Sequence, residues 1–401
     1  MDNARLKSEY EHDRLSFSCI IVAAVFFVVL FHAPVMRVPD IVTQILRPLI
    51  VFFLIITMTQ RGKIDFSARA LALLAALYCL LVLLLNTISV DEITATISAT
   101  LYLLMFYAVV GTPWTKREVR FIVMACFAGA LACAVVLFLS NDPTDLSVGT
   151  SGKMQMLGMH VNRNLNAYAF ATGTIIGVAY LLYGKNKLRM ALLTAVIAYG
   201  LLYSQCRGAF FCTVLGVVIL VFGRLHKIKK RSDAKFLAYS FLFVLFCIAA
   251  YYALKNSELS RLIDAESTSG RNEGIKYAWQ LFQNGDLFSK IFGHGFLYEK
   301  NNTVGAISHL VYTQYLLSAG IVGTLLIILM LLLTGLRIKG SIPYALFASA
   351  VLRTCFESLD YYVFIPLILA VIVYNCSSEF GATAEEIFCN KNNNKGVEYG
   401  F

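Results

Sequence analysis

Charge is scarce in this sequence: Asp, Glu, Lys and Arg make up 14% of its 401 residues. A soluble domain carries about 25%, so the shortfall excludes a conventional water-soluble fold. Proline is rare, with 7 in the whole chain, which leaves long runs able to stay helical. The 10 cysteines could suggest a disulfide framework, but they include no Cys-x-x-Cys pair and no structural disulfide is expected. Cys19, Cys79, Cys126, Cys133, Cys212, Cys247, Cys355 and Cys376 lie within or beside apolar blocks and read as small hydrophobes. Also missing are a Walker A loop, a His-Glu-x-x-His pair and a Gly-x-Ser-x-Gly elbow. Gly293-His294-Gly295 lacks the third glycine and the preceding strand of a dinucleotide fingerprint. Asp40 is the one carboxylate between the first two apolar runs, so neither a metal site nor a catalytic carboxylate pair is expected.

What is present is apolar length. Hydrophobic residues make up 58% of the chain and come in blocks. A hydrocarbon core about 30 Å thick needs roughly 20 residues of helix. Spans are predicted at 16–34, 41–59, 67–86, 93–111, 119–139, 164–183, 188–204, 208–223, 235–254, 307–336, 341–358 and 361–377. The expected fold is all-α, a polytopic transmembrane bundle of about 12 helices forming one membrane domain over 1–401. The tenth run is long enough to be a short helix followed by a crossing. The N-terminal run has basic residues before it but no small-x-small cleavage site after it, so it reads as an uncleaved first helix.

The net charge of +10 does not point to nucleic acid, because most of the 34 Lys and Arg sit in short loops between apolar blocks. With the N-terminus cytoplasmic, every even-numbered connection is basic, as the positive-inside rule requires. The clusters include Arg61, Lys63 and Arg69; Lys116, Arg117 and Arg120; Lys185, Lys187 and Arg189; and Arg224 to Lys235. This orientation leaves outer loops at 140–163 and 255–306, a very short outer turn at 204–208, and a polar, mobile cytoplasmic tail at 378–401.

The few outer cations are the candidates for chemistry. Arg207 sits at a helix–helix turn beside hydrocarbon, where a charge usually faces a cavity or a partner, although an arginine at this depth also snorkels. Arg271 follows Ser267-Thr268-Ser269-Gly270, a composition suited to a helix start and hence to an anion. Ile275, Trp279 and Phe282 then repeat at helical spacing, which predicts an amphipathic helix on the outer membrane surface. His309 stands at the outer boundary, where a group titrating near neutrality is useful as a base. His160, Asn162, Arg163, Asn164 and Asn166 form a polar cluster suited either to binding sugar or phosphate or to ending a loop. Arg47, inside the second span, needs a partner such as Glu357 or Asp360.

Four segments, taken in order, resemble the bacterial O-antigen polymerase and O-antigen ligase superfamily, whose members have the type-C glycosyltransferase plan. Asn162-Arg163-Asn164-Leu165-Asn166-Ala167-Tyr168 is similar to the family's Asn-rich approach to a mid-chain helix. Ser204-Gln205-Cys206-Arg207-Gly208-Ala209 resembles its Ser-Arg-Gly turn, with two residues inserted. Ser269-Gly270-Arg271, Trp279 and Gly293-His294-Gly295 resemble its large outer loop. Ser308-His309 followed by Ala319-Gly320-Ile321-Val322-Gly323 resembles its His-Asn…Gly-Ile-x-Gly segment, with Leu310 where Asn is usual. The likeness covers about residues 95–375.

The resemblance implies an enzyme of the cytoplasmic membrane with no cofactor, no metal and no nucleotide sugar. Its donor would be a glycan on undecaprenyl diphosphate, and its acceptor a glycan or a lipid-linked glycan. It assigns Arg207 and Arg271 to the diphosphate and His309 to the acceptor hydroxyl, with His160, Arg163 and Asn164 as candidate substrate contacts. Membrane lipid surrounds the chain, and a chain-length regulator or a flippase is a candidate partner. The outer loop is compact and the His-Asn pair is absent, which favours a polymerase of repeat units over a ligase to lipid A core. A lipid-linked glycan transporter is the competing class. Its hallmark, broken helices in matching halves, has one hint at Arg47-Pro48 and no counterpart.

Overall fold

The long apolar runs become helices that pack side by side. A computed structural model describes residues 15–31, 55, 67–86, 90–142, 153–156, 159–229, 271–296, 298, 310–356, 361–379 and 387–388. The first helices are α1 (Phe17–Leu30), α2 (Ser67–Leu85), α3 (Val90–Val110), α4 (Lys116–Ser140), α5 (Arg163–Tyr183), α6 (Lys187–Ser204) and α7 (Arg207–Lys229). After them come α8 (Arg271–Asn284), α9 (Leu287–Phe292), α10 (Val311–Arg337), α11 (Ser341–Arg353) and α12 (Tyr361–Glu379). An antiparallel hairpin, β1 (Lys153–Met156) and β2 (Met159–Asn162), pairs Gln155 with His160 and Met156 with Met159. This hairpin, in a loop read as irregular from sequence, is the described exception to an all-helical chain.

Six of these helices contain windows long and apolar enough to cross a membrane: Ser67–Leu85, Glu92–Val110, Lys116–Ser140, Lys187–Ser204, Arg207–Ile228 and Val311–Arg337. The expected spans 41–59, with Arg47, and 235–254 lie outside the described residues, as do Glu357 and Asp360. Every other expected span holds a described helix. The eleventh is shorter than expected: α11 has 13 residues, and at 1.5 Å per residue it reaches about 20 Å. Much of the outward surface is apolar, including Leu84, Leu139, Leu192, Phe222 and Leu332. In water such a surface would be unfavourable; against lipid tails it is not.

Helix α12 is the core. Its side chains from Val363 to Val373 are almost wholly buried on all sides, as suits a helix without a polar face. The Phe364 ring meets Tyr102 and Phe106 of α3 at centroid distances of 5.9 and 6.4 Å. Helices α1 and α4 cross at Gly129, where a Cβ would stand 2.5 Å from the Phe27 carbonyl oxygen. Helices α4 and α5 cross at Gly173, where a Cβ would stand 2.5 Å from that of Ala130. Small residues at crossings let helices approach where no hydrophobic effect drives them together.

One end of the bundle gathers the basic clusters. Glu118 is buried there and closes a capping box with Thr115 at the start of α4. The same carboxylate accepts from the Ser16 amide at 3.1 Å and from the Ser16 hydroxyl, joining the starts of α1 and α4. Arg69 Nε donates to the Tyr107 carbonyl at 3.0 Å, its guanidinium 4.2 Å above the Tyr107 ring. Tyr183 Oη lies 3.1 Å from Ser341 Oγ, and Arg224 covers the Tyr183 ring at 5.5 Å. Ile387 and Phe388, in the tail expected to be mobile, are buried at this end; the Phe388 ring lies 4.6 Å from that of Tyr180.

Toward the other end, α10 breaks. Gly320 has φ 66° and ψ −168°, so a short helix precedes a longer one, the division expected for the tenth run. The break deprives the Leu317, Ser318 and Ala319 carbonyls of their intrahelical donors, and buried carbonyls need replacements. The segment after α9 supplies two: the His294 amide donates to Leu317 O at 2.8 Å and the Gly295 amide to Ser318 O at 3.0 Å. Tyr78 of α2 donates to Ala319 O at 3.0 Å. Only glycine fits the two contact points. A Cβ at Gly320 would collide with the Ile291 carbonyl, and one at Gly293 (φ 87°) with the Ser318 carbonyl.

Gly320→Ala is therefore expected to destabilise the protein by about 2–4 kcal/mol, combining a Gly-only conformation with a backbone clash. Thermal unfolding of the detergent-purified protein measures it, with the outward-facing Leu325→Ala expected to leave the midpoint unchanged.

Candidate functional site

The connection between α6 and α7 is two buried residues, Gln205 and Cys206, following the buried Ser204 that ends α6. Gln205 adopts φ 48°, the one non-glycine with positive φ among the described residues. Such a residue is uncommon and costs about 1 kcal/mol unless its surroundings hold it. The surroundings do so here. Ser204 Oγ donates to Leu201 O at 2.6 Å, the Gln205 amide to Leu202 O at 3.0 Å, and Tyr203 Oη to Asp142 O at 3.1 Å. The turn delivers Arg207, half-buried, as the first residue of α7.

Three other elements converge on this turn. From α5, the Tyr168 hydroxyl packs against Gly208, where a Cβ would stand 2.5 Å from it. From the end of α11, Phe356 closes the other side of Gly208, at 3.0 Å from the same point. Arg353, 2% exposed, places its guanidinium carbon 3.7 Å from the centre of the Tyr168 ring. The start of α10 is pinned to the same corner: the Val311 amide donates to Thr354 O at 3.1 Å, and Thr354 Oγ lies 2.9 Å from Tyr312 Oη.

The polar cluster ahead of α5 divides. Asn166 is fully buried and structural, accepting from Cys133 Sγ at 3.5 Å and donating to Met156 Sδ at 3.3 Å, so it holds the hairpin to α4 and α5. His160 lies on β2, Arg163 opens α5 and Asn164 is half-buried beside it. Tyr168 is five residues beyond Arg163, about 7.5 Å along the helix. The hairpin junction and the Arg207 turn thus occupy the same end of the bundle, away from the basic clusters.

Arg271 opens α8, as its sequence predicts. Helix α8 packs on α10 and buries Gly274 and Ala278. Trp279 is 50% exposed and stacks on Phe282 with ring centroids 5.5 Å apart. The aromatic stripe thus faces outward, with Leu287 and Phe288 of α9 also exposed. The Arg271 and Arg163 side chains and all of His309 lie outside the described residues. The structure brings the Arg207 turn against Tyr168 of α5 and Phe356, which follows α11. Sequence reasoning did not pick out Arg353 or Tyr78. Arg353 carried a signal, a lone cation near the end of an apolar run and outside the basic loops. Among the described residues no three His, Cys, Asp or Glu side chains are gathered as a metal site.

His294 sits in the clasp that closes the α10 break, its ring stacked on Tyr298 at 3.9 Å and 12°. Burial lowers its pKa below the ordinary 6.5, opposed in part by the Asp286 carboxylate. Asp286 is itself held below the usual carboxylate range, chiefly by the hydrogen bonds it accepts from Ser289. Because the folded state disfavours the imidazolium, the unfolded chain binds the proton more readily. Stability from this site is full above pH 6.5 and falls as the pH drops through the lowered value. Protection factors for amide exchange over 287–296, with the intrinsic pH dependence of exchange divided out, are expected to fall on acidification in the wild type, and His294→Phe is expected to flatten that dependence.

No protein-family model matches the sequence, and no curated protein matches it.

Proposed function

We propose that the chain is a multi-pass glycosyltransferase of the bacterial cytoplasmic membrane that polymerises O-antigen, capsular or exopolysaccharide repeat units from undecaprenyl-diphosphate-linked donors. In this reading it has about 12 spans on a type-C plan, termini in the cytoplasm, and its site on the outer face. The observation that carries it is the Arg207 turn. A cation is built on a strained, buried turn at the end of the bundle away from the basic clusters, where Tyr168 of α5 and Phe356 after α11 pack on Gly208. The four motifs resembling the O-antigen polymerase and ligase superfamily support it from the sequence side.

The chemistry asks little of such a site. An acceptor hydroxyl oxygen attacks C1 of the sugar bound to the diphosphate, forming the new glycosidic bond. The C1–O bond to phosphate breaks, and undecaprenyl diphosphate leaves with the electron pair. His309 takes the hydroxyl proton, a contribution of about 100-fold or more. Arg207 and Arg271 meet the growing charge on the phosphate oxygens through charge-assisted bonds, about 3 kcal/mol for each well-placed donor. The outward aromatic stripe of Trp279, Phe282 and Phe288 rests at the lipid headgroups and keeps α8 level with that charge.

Arg207→Ala, Arg271→Ala and His309→Ala are each expected to lower polymer yield about 100-fold or more while the protein still inserts. Gene deletion followed by a glycan ladder gel tests the reaction. Loss of a polymerase leaves the surface acceptor carrying a single repeat. A bare acceptor with long chains retained on the carrier lipid indicates the ligase, and unchanged ladders refute both.

A further inference from the structure

Arg353 is a second cation at the Arg207 corner. It closes α11, is 2% exposed, and lies face-on over Tyr168 at 3.7 Å. The Tyr168 ring spans from this guanidinium to Gly208, the residue after Arg207, so one aromatic ring borders both Arg353 and the start of α7. Burying a guanidinium beside hydrocarbon is costly. Two features here offset the cost: the negative face of the ring, and the C-terminal end of α11, whose dipole favours a cation. Both hold the planar fork in one orientation. Thr354, the next residue, is tied to Val311 and fixes the end of α11 against the start of α10. A cation fixed in this way is suited to a bidentate, doubly charged oxyanion and poorly suited to a neutral sugar.

We infer that Arg353, stacked on Tyr168, is a diphosphate-binding residue that works with Arg207 and selects a polyprenyl diphosphate over the monophosphate. This rests on the proposed donor and adds a cation that the sequence motifs do not include. Tyr168 is its positioning residue.

The test is binding of undecaprenyl diphosphate, and separately of undecaprenyl monophosphate, to the full-length protein in nanodiscs. The wild type is expected to prefer the diphosphate. Arg353→Met is expected to weaken diphosphate binding about tenfold or more and monophosphate binding much less. Arg353→Lys keeps the charge but loses the planar fork, and is expected to weaken the diphosphate about threefold or more. Tyr168→Leu removes the ring and is expected to follow Arg353→Lys. Diphosphate affinity within about twofold of wild type in monodisperse Arg353→Met overturns the inference, as does an equal loss for both lipids. If the Met variant is not monodisperse, the same result in Arg353→Lys overturns it. A wild type with no preference for the diphosphate refutes the proposed donor itself. A wild type whose preference falls in Arg207→Ala but survives in the Arg353 variants refutes this inference alone.

Discussion

Three carbonyls organise the end of this molecule away from the basic clusters. Within hydrocarbon a backbone oxygen that loses its helical donor must find another, at a cost of several kcal/mol if it fails. The break at Gly320 exposes Leu317, Ser318 and Ala319 to that demand, and the His294 and Gly295 amides and the Tyr78 hydroxyl meet it. The segment supplying the amides follows α9, and α8 packs on the same α10, so the helix opened by Arg271 is held to the bundle through this repair. The upper half of α10 is in turn pinned at Val311 to Thr354, next to the arginine that stacks on Tyr168. One irregular residue thereby couples α8 and α9, the start of α10 and the corner carrying Arg207.

Charge is distributed unequally between the two ends. At the basic end, cations lie among caps and rings: Arg69 over Tyr107, Arg224 over Tyr183, and Glu118 joining two helix starts. Those contacts secure helix ends, and the surplus positive charge suits a cytoplasmic face. At the opposite end the described cations are fewer and more constrained, Arg207 on a left-handed turn and Arg353 beneath the surface. A protein that needed only to stay in the membrane would not gain from placing arginines there. On the function proposed above, a leaving group with two phosphates would give them a role.

Much of the bundle was legible in the sequence because lipid imposes a simple rule, that an apolar run of sufficient length is a helix. The start of α8 at Arg271 and the broken tenth run followed from Ser267–Gly270 and from Gly320 in a block too long for one crossing. Packing was less legible. The spacing of Ile275, Trp279 and Phe282 located a helix, yet the residues it buries are Gly274 and Ala278, small side chains outside that stripe. The hairpin of Lys153–Met156 with Met159–Asn162 rests on a Met-rich stretch without strong strand propensity. Its anchor, Asn166, belongs to a cluster that read either as a sugar or phosphate site or as a loop end, and it is a buried strut. Arg353 and Tyr78 acquire meaning only from partners far away in sequence, which no single-sequence pattern reports.

The central claim is that cations at the end of the bundle away from the basic clusters hold a diphosphate. A cryo-electron microscopy structure of the protein in nanodiscs with undecaprenyl diphosphate tests it most directly. The account predicts phosphate density at the corner formed by Arg207, Tyr168 and the start of α10. Phosphate density at the basic end instead, beside Arg69 or Arg224, would contradict it.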